Sequence, residues 1–324
     1  MGFSVDHLIG QNDDLLSVAA THARDVDALC TDVVAVIFPA ALQPPTDAVI
    51  HAVTSKLLEI VGDLEKHLLD GAIESGSHPA TWNMLAQSGF LRDADLLDFV
   101  LARVSEDRLE MRLSGSNPML AASLLDHADA NVADAAQLLL ATDSLHRRSR
   151  GNTFLMLSPE LLHTLCWRIV AAVEVLSGTR SRSVIEAARR VLGGYDEAQT
   201  AASAARKIVH FLGEQGNDEL LRPEKSGIQL FVAKLAAALN VEQDHVLRLI
   251  DCGSSVPLIV LLAGVGLKKR DASACLFSLR GEVITSREAA LFEAGYVSID
   301  RSSAVDAIAA WSVSRAEFLT FGKR

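Results

Sequence analysis

Apolar residues recur three or four positions apart along most of the chain, and the strict alternation typical of a half-buried β-strand is nearly absent. This period predicts amphipathic α-helices that each turn one face toward a core. The segment 93–110 illustrates the pattern, because its apolar and polar residues separate onto two helical faces. The predicted core face holds Leu97, Val100, Leu101 and Val104, and the predicted solvent face holds Asp98, Arg103, Glu106 and Asp107.

Prolines mark several predicted helix starts, because proline is tolerated in the first turn of a helix and disrupts its interior. Ser158 and Pro159 combine an N-cap residue with a first-turn proline, and Pro223 and Pro257 stand at similar positions. The predicted helices span residues 14–38, 46–69, 80–87, 93–110, 118–125, 132–149, 159–176, 182–192, 196–212, 223–239, 243–250, 256–265, 270–279 and 302–321.

Short connections between successive amphipathic helices favour antiparallel neighbours. The sequence therefore predicts an all-α protein of antiparallel helix pairs, arranged as a HEAT-like α-solenoid or as an irregular helical bundle. A Gly- and Ser-rich stretch at 71–78 predicts a boundary between an acidic helical hairpin, residues 1–76, and a helical-repeat domain of about ten helices, residues 77–324. The apolar faces of the hairpin either pack within the chain or pair with a second copy, so the hairpin is a possible dimerisation element.

An internal repeat is visible near the C-terminus. The apolar positions of 235–250 align with those of 261–276 at an offset of 26 residues, with Asn240 and Gly266 at matching positions. Both residue types favour the left-handed conformation that ends many helices. We therefore expect two helix-turn-helix hairpins in series, each with a C-cap at one of these two residues.

The chain of 324 residues has a formal net charge of −11, and the placement of that charge matters more than its size. The first 110 residues contain 18 Asp and Glu against 6 Lys and Arg, so the acidity belongs to the N-terminal third. Binding nucleic acid through bulk charge is unfavourable for such a chain, because neutralising phosphates requires a basic face.

Cysteine usage and hydropathy predict a cytoplasmic protein. The four cysteines, Cys30, Cys166, Cys252 and Cys275, are far apart in apolar helical contexts, which is typical of reduced core thiols. The most apolar run, residues 256–265, is shorter than the roughly 20 residues that cross a bilayer. The first ten residues lack the features of a signal peptide, so we expect no membrane association.

The sequence carries no nucleophile elbow, no HExxH zinc motif, no phosphate-binding glycine loop and no dinucleotide fingerprint. We therefore predict no catalytic, cofactor-binding or metal-binding residues and a protein that is not an enzyme. Residues 231–250 do resemble a helix-turn-helix, in which Gln243, His245 and Arg248 would reach the bases. Acidic residues on either side of that helix would oppose the phosphates, so DNA binding is unfavoured.

Two groups of basic residues, one at 147–150 and one at 268–270, each have a structural and a functional interpretation. The first group ends a predicted helix, where cations interact favourably with the helix dipole without any partner. The second group opens a helix, where the dipole disfavours cations, so it has the stronger claim to a binding role. The candidate interaction residues of the two groups are Arg147, Arg148, Arg150, Lys268, Lys269 and Arg270.

A third candidate is the pair His163 and Trp167, which lie one helical turn apart and therefore on one face. The pair could line a ligand pocket or supply a general base. Histidine packed on tryptophan at a helix–helix seam is much more common, and no partner nucleophile or metal-ligand spacing is visible. We therefore expect the pair to belong to the core.

From about Pro79 onward the chain resembles a bacterial, mostly alphaproteobacterial family, domain of unknown function 2336. The resemblance is carried by short helix-packing motifs and by spaced residues in the tail. These are 124–129 (LLDHAD), 132–136 (VADAA), 159–167 (PELLHTLCW), 230–250, Ala304, Ala307, Trp311 and Phe318. The resemblance implies an all-helical fold with HEAT-like pairs, and it implies no catalytic residues.

Together these observations predict a non-enzymatic helical scaffold or regulatory protein that binds other proteins, because helix pairs offer large surfaces with few buried polar groups. The alternative is a small-ligand or nucleic-acid binding regulator that uses the C-terminal hairpins.

Overall fold

The computed structural model describes residues 47–69, 78–115, 119–148, 153–178, 181–213, 217–252 and 254–321. These described residues form fifteen α-helices, with short 3₁₀ turns between some of them and no β-strand. The predicted all-α fold is therefore confirmed. The helices are α1 (Asp47–Leu69), α2 (His78–Gln87), α3 (Ala94–Arg112), α4 (Leu120–Ser123), α5 (Ala130–Arg148), α6 (Pro159–Ser177), α7 (Arg182–Gly194), α8 (Ala201–Leu212), α9 (Asn217–Leu220), α10 (Pro223–Leu239), α11 (Gln243–Asp251), α12 (Val256–Gly264), α13 (Lys269–Arg280), α14 (Ser286–Gly295) and α15 (Arg301–Phe321).

Two helices were not predicted from the sequence, the single turn α9 and the longer α14. The start of α14 carries a capping box, in which the Glu288 amide donates to the Thr285 hydroxyl and the Glu288 carboxylate accepts from the Thr285 amide. The Thr-x-x-Glu spacing was a readable signal for this start. The predicted helix 14–38 lies outside the described residues.

The chain divides into two compact units, and neither is continuous in sequence. Among the described residues, one unit contains 47–104 and 137–204, which we call the α6 unit, and the other contains 105–136 and 205–321, which we call the α12 unit. The predicted boundary after residue 76 stays a prediction, because 70–77 and the first helix of the hairpin lie outside the described residues.

Helix α1 buries its apolar face within the α6 unit. It packs against α2, α6, α7 and the turn 153–156, where Asp63 accepts a hydrogen bond of 2.8 Å from the Thr153 hydroxyl. Five of the leucine and valine side chains on this face are at most 1% exposed. They are Val53, Leu57, Val61, Leu64 and Leu68. These side chains are buried within the chain itself, whereas Leu58 on the same helix is 36% exposed, so pairing of the hairpin with a second copy stays a prediction.

Helix α12 forms the centre of the α12 unit, and all nine of its residues are buried. A helix that is apolar on every side is stable only when neighbours surround it, and α12 packs against α10, α11, α13 and α15. Gly264 allows the closest of these approaches. A Cβ atom at this position would lie 2.9 Å from Leu239 Cδ2 and 3.1 Å from Ile308 Cδ1, so a larger residue would require these two side chains of α10 and α15 to move.

The two predicted C-caps share one geometry. Asn240 has φ 54° and Gly266 has φ 75°, so each ends its helix in the left-handed conformation. The Val241 amide donates to the Ala236 carbonyl at 3.0 Å, and the Leu267 amide makes the equivalent bond at 3.1 Å. The turns that join α10 to α11 and α12 to α13 are therefore local repeats of each other. A longer solenoid array stays a prediction.

The predicted solvent face of α3 is wrong. Asp98, Arg103 and Glu106 are at most 7% exposed, although the opposite apolar face is buried as predicted. The Arg103 guanidinium lies 5.5 Å from the centre of the Phe99 ring, so its charge sits against an aromatic face. Periodicity identified the helix, but it could not show that neighbours cover both of its sides.

Candidate functional site

Helix α6 is set firmly at both ends. The Ser158 hydroxyl accepts a hydrogen bond of 3.3 Å from the Leu161 amide and caps the first turn, and Pro159 occupies the first helical position. Gly178, with φ 65°, ends the helix in the left-handed conformation. The inward face of α6 is apolar and buried. It contains Leu162, Leu165, Cys166, Ile169, Val170, Ala172 and Val173.

The predicted pair His163 and Trp167 lies on the opposite side of α6. The Trp167 Nε1–H group donates a hydrogen bond of 3.1 Å to His163 Nε2, and the ring centres are 6.3 Å apart in an edge-on arrangement. His163 is exposed and Trp167 is half-buried, so the prediction that both belong to the core is wrong. The hydrogen bond engages His163 Nε2 with the indole, so the imidazole supports the tryptophan side chain.

Further exposed side chains continue the same side of α6 toward its C-terminus. Val175 on this side is 68% exposed, and Ala171 between it and Trp167 is also exposed. Trp167, Ala171 and Val175 follow one another at a spacing of four and therefore form a single stripe. We define the α6 outer face by this stripe and the polar residues beside it. Its members are Thr164, Trp167, Arg168, Ala171, Glu174 and Val175.

The α6 outer face rests on a rigid hairpin. Helix α7 packs antiparallel to α6, and the Tyr195 hydroxyl after α7 donates a hydrogen bond of 2.5 Å to the Leu157 carbonyl before α6. Burial, together with the nearby carboxylates of Glu197, Glu160 and Asp196, raises the pKa of Tyr195 to about 12. The phenol therefore stays protonated and keeps donating this hydrogen bond at neutral pH.

The three described cysteines are free thiols. Cys166 and Cys275 are buried, as predicted for core thiols, and Cys252 is half-buried. Burial raises the pKa of Cys166 and of Cys252 to about 11 and that of Cys275 to about 12. Because the thiolate is the reactive form, these groups are poor nucleophiles at neutral pH.

The first basic group begins in the last turn of a helix, where cations interact favourably with the helix dipole. Helix α5 ends at Arg148, so Arg147 and Arg148 belong to its last turn. Their side chains and the whole of Arg150 lie outside the described residues. A binding role for these arginines stays a prediction.

One of the three residues of the second basic group, Lys269, is engaged by contacts within the protein. Lys269 Nζ lies 2.7 Å from Glu293 Oε2 and donates a hydrogen bond of 2.8 Å to the Glu293 carbonyl in the last turn of α14. This lysine at the start of α13 therefore stabilises the C-terminal end of a neighbouring helix. Lys268 is the N-cap residue of α13 and makes no side-chain cap, and Arg270 is exposed.

Two of the side chains that the helix-turn-helix interpretation requires at the surface are buried. His245 is 1% exposed and Arg248 is 3% exposed, and their side chains lie 3.4 Å apart inside the α12 unit. Gln243 is half-buried. The side of α11 that would have to enter a major groove therefore faces the protein core, so these residues cannot read bases in this fold.

No pattern in the sequence predicted the buried ionic network near the end of α11. Asp251 is bridged by Arg112 at 2.8 Å and by Arg108 at 3.4 Å. Arg280, 3% exposed, donates to the Ser255 hydroxyl at 3.4 Å and to the Ile250 carbonyl at 3.5 Å. Burial raises the pKa of Asp251 against the pull of the arginines, and burial lowers the pKa of Arg280. Arg108 lies 143 residues before Asp251, and Arg112 is one turn further along the same helix, so these ion pairs leave no sequence signal.

Glu288 continues this network at the start of α14. Its carboxylate accepts from the Thr285 amide at 2.9 Å, the Ser254 hydroxyl at 3.0 Å and the Ser255 amide at 2.5 Å. Burial alone would raise the pKa of Glu288, but these donors outweigh it and hold the pKa below its usual value. The carboxylate therefore remains charged and ties α14 to the connection between α11 and α12.

Within the described ranges, no three His, Cys, Asp or Glu side chains are grouped in a way that could hold a metal ion. No helix among those residues is long and apolar enough to cross a membrane. Comparison of the chain with protein-family models, curated proteins and solved structures finds no match. The resemblance to domain of unknown function 2336 therefore stays a prediction from the residues that carry it.

Proposed function

We propose that this chain is a non-enzymatic helical scaffold or regulatory protein of the cytoplasm, and that it recognises another protein chain through the α6 outer face. The observation that carries this proposal is the apolar stripe of half-buried Trp167, exposed Ala171 and exposed Val175 on a helix whose opposite face is buried. Tryptophan is enriched among the residues that dominate protein–protein affinity.

The support that His163 gives to Trp167 strengthens the case for recognition. An indole held by a hydrogen bond of 3.1 Å loses less side-chain freedom on binding than a mobile one, so more of its contact energy contributes to affinity. The outer face also combines this apolar stripe with charged residues at its margin, Arg168 and Glu174. An apolar centre with a polar rim is typical of protein interfaces.

The ionisable groups buried in the α12 unit support a structural role better than a chemical one. Asp251 is paired with Arg112 of α3, Arg280 donates to the Ile250 carbonyl near the end of α11, and Glu288 accepts from the Ser255 amide just before α12. Catalytic groups need an approach for substrate, whereas these side chains tie α11 to α3 and α13, and α14 to the connection between α11 and α12. The family resemblance from Pro79 onward agrees with a helical protein without a catalytic constellation.

The proposal is tested by affinity capture from native cells with the full chain as bait, followed by mass spectrometry. We expect at least one protein, or untagged copies of the chain itself, to be enriched by the wild type and lost with Trp167→Ala. The matched control is Phe277→Ala, which removes a 53% exposed aromatic side chain from α13 and should leave the enrichment unchanged. The proposal would be overturned if only metabolites were enriched, or if the same proteins were enriched by the wild type and by Trp167→Ala.

A further inference from the structure

The hydrogen bond between Trp167 and His163 requires one protonation state of the histidine. The Trp167 Nε1–H group donates to His163 Nε2 at 3.1 Å, so Nε2 carries a lone pair and the neutral imidazole has its proton on Nδ1. A second proton taken up by this ring can bind only at Nε2. The indole and a proton from water therefore compete for the same atom.

We propose that protonation of His163 releases the Trp167 indole, so that the α6 outer face binds its partner more weakly in mild acid than at neutral pH. The inference rests on the proposed function, because it adds a regulation of that same face. Histidine is the side chain that ordinarily changes its charge between pH 5 and 8. His163 is exposed, so protons reach its ring directly from water.

The protonated ring cannot keep the indole in place. An imidazolium ion has an N–H group on both nitrogens and accepts no hydrogen bond, so His163 Nε2 and the indole nitrogen would face each other as two donors. A cation can also bind the face of an indole, but here the Nε1 edge of the indole points at the imidazole, and the ring planes meet at 64°. Such a contact requires Trp167 to rotate. In either arrangement its N–H group loses His163 as acceptor.

The charged groups around His163 do not replace the indole as its partner. Within the described part of the chain, no side chain of α1, α2 or α7, the helices packed against α6, forms an ion pair or hydrogen bond with His163. Glu160 lies one turn earlier on α6, Asp196 and Glu197 follow α7 near the same end of α6, and Arg168 follows Trp167. These carboxylates favour the protonated ring and the arginine disfavours it. Because these groups are exposed, water and salt weaken both effects.

Release of the indole weakens recognition, because a mobile side chain must be ordered again when the partner binds. Trp167 has the largest side chain of the apolar stripe, so the stripe depends most on its position. The net contribution of one hydrogen bond corresponds to a change in affinity of roughly two- to tenfold. We therefore expect affinity to fall about threefold between about pH 7.5 and about pH 5.5.

Release of the indole is tested in the full chain by following the indole N–H proton resonances from about pH 8 to about pH 5. The Trp167 resonance, assigned by its loss in Trp167→Phe, should move upfield along a curve with the same midpoint as the ring resonances of His163. Trp311, which is 4% exposed, supplies an internal reference in the same spectrum. This range stays above the acid region in which Glu288 loses its charge.

The matched control is His163→Gln, because an amide oxygen can accept the hydrogen bond and the side chain does not titrate. The Trp167 resonance of this variant should show no transition across the range. A wild-type resonance that stays constant, or one that moves equally in His163→Gln, overturns the inference. Unchanged helicity by circular dichroism at both ends of the range confirms that wild type and variant are folded.

The capture experiment, repeated at both ends of this range, separates the inference from the proposed function. Proteins enriched through Trp167 should be recovered about threefold less at the acid end by the wild type, and in similar amounts at both ends by His163→Gln. Equal recovery by the wild type at both ends overturns the regulation and leaves the proposed function standing. Recovery that depends on Trp167 at neither end overturns the proposed function and the regulation with it, and a shifted resonance then supports only the release of the indole.

Discussion

Helices α6 and α11 have similar sequence patterns, but their histidines lie in opposite environments in the folded protein. Each carries a histidine one turn from a large partner side chain, Trp167 on α6 and Arg248 on α11. On α6 the pair faces solvent, whereas on α11 both members are at most 3% exposed. Residue type and helical spacing therefore did not determine which of the two helices could serve as a recognition surface.

The neighbours of each helix account for the difference. Helix α11 packs against α10 and α12, and the buried network of Asp251, Arg280 and Glu288 surrounds its C-terminal end. Helix α6 packs against α1, α2 and α7, all of which contact its inward face. A polar residue stays buried when ion pairs and hydrogen bonds replace its hydration, and Asp251 at the end of α11 meets that condition through Arg108 and Arg112.

Removal of the central cation of the network should give the largest change in stability. Arg280→Met should lower the free energy of unfolding by about 3 kcal/mol, because it deletes the donors to Ile250 and Ser255 and the cation shared by two buried carboxylates. The measurement is urea unfolding at neutral pH. The same substitution at exposed Arg270 on the same helix should cost less than about 0.5 kcal/mol. Equal costs at the two positions would mean that burial does not distinguish these arginines.

An intermediate effect is expected from the carboxylate that caps α14. Because hydrogen bonds hold the pKa of Glu288 below its usual value of 4.5, its ionised form stabilises the fold above that pH. This contribution should be lost as the pH falls from about 4.5 through the lowered pKa. Glu288→Gln should lower stability by about 1–3 kcal/mol at neutral pH and should flatten this acid-side loss.

The measurement for Glu288 is the urea midpoint of wild type and variant across the acidic range. Glu282→Gln serves as the control, because Glu282 is exposed in the turn before α14. A difference between wild type and Glu288→Gln that stays constant down to the lowest pH would show that the charge of Glu288 does not contribute.

The fold was largely predictable because helix periodicity and end signals are local. Ser158 with Pro159 gave the start of α6, and Asn240 and Gly266 gave two helix ends that the structure confirms. Even the missed helix α14 had a local signal in Thr285 and Glu288. Local patterns of this kind are decided within a few residues of chain.

The environment of each polar side chain was not predictable, because it depends on distant parts of the chain. Arg112 and Asp251 form one ion pair, and their separation in sequence leaves no pattern to read. The same limit explains the wrong solvent face of α3 and the wrong core assignment of His163. The sequence identified Trp167 as a candidate site residue, but only the fold showed that the indole is half-buried and hydrogen-bonded to His163.

The smallest effect on stability should come from the support of that indole. His163→Ala removes an exposed side chain and should change the free energy of unfolding by less than about 0.5 kcal/mol. It should nevertheless free the Trp167 Nε1–H group, whose proton resonance should move upfield and exchange faster with water once its acceptor at 3.1 Å is lost. His163→Gln, which keeps an acceptor, should restore part of both properties. The resonance is assigned by its disappearance in Trp167→Phe. An unshifted resonance in His163→Ala would show that His163 does not hold the indole, and the contrast between the two histidines would then rest on burial alone.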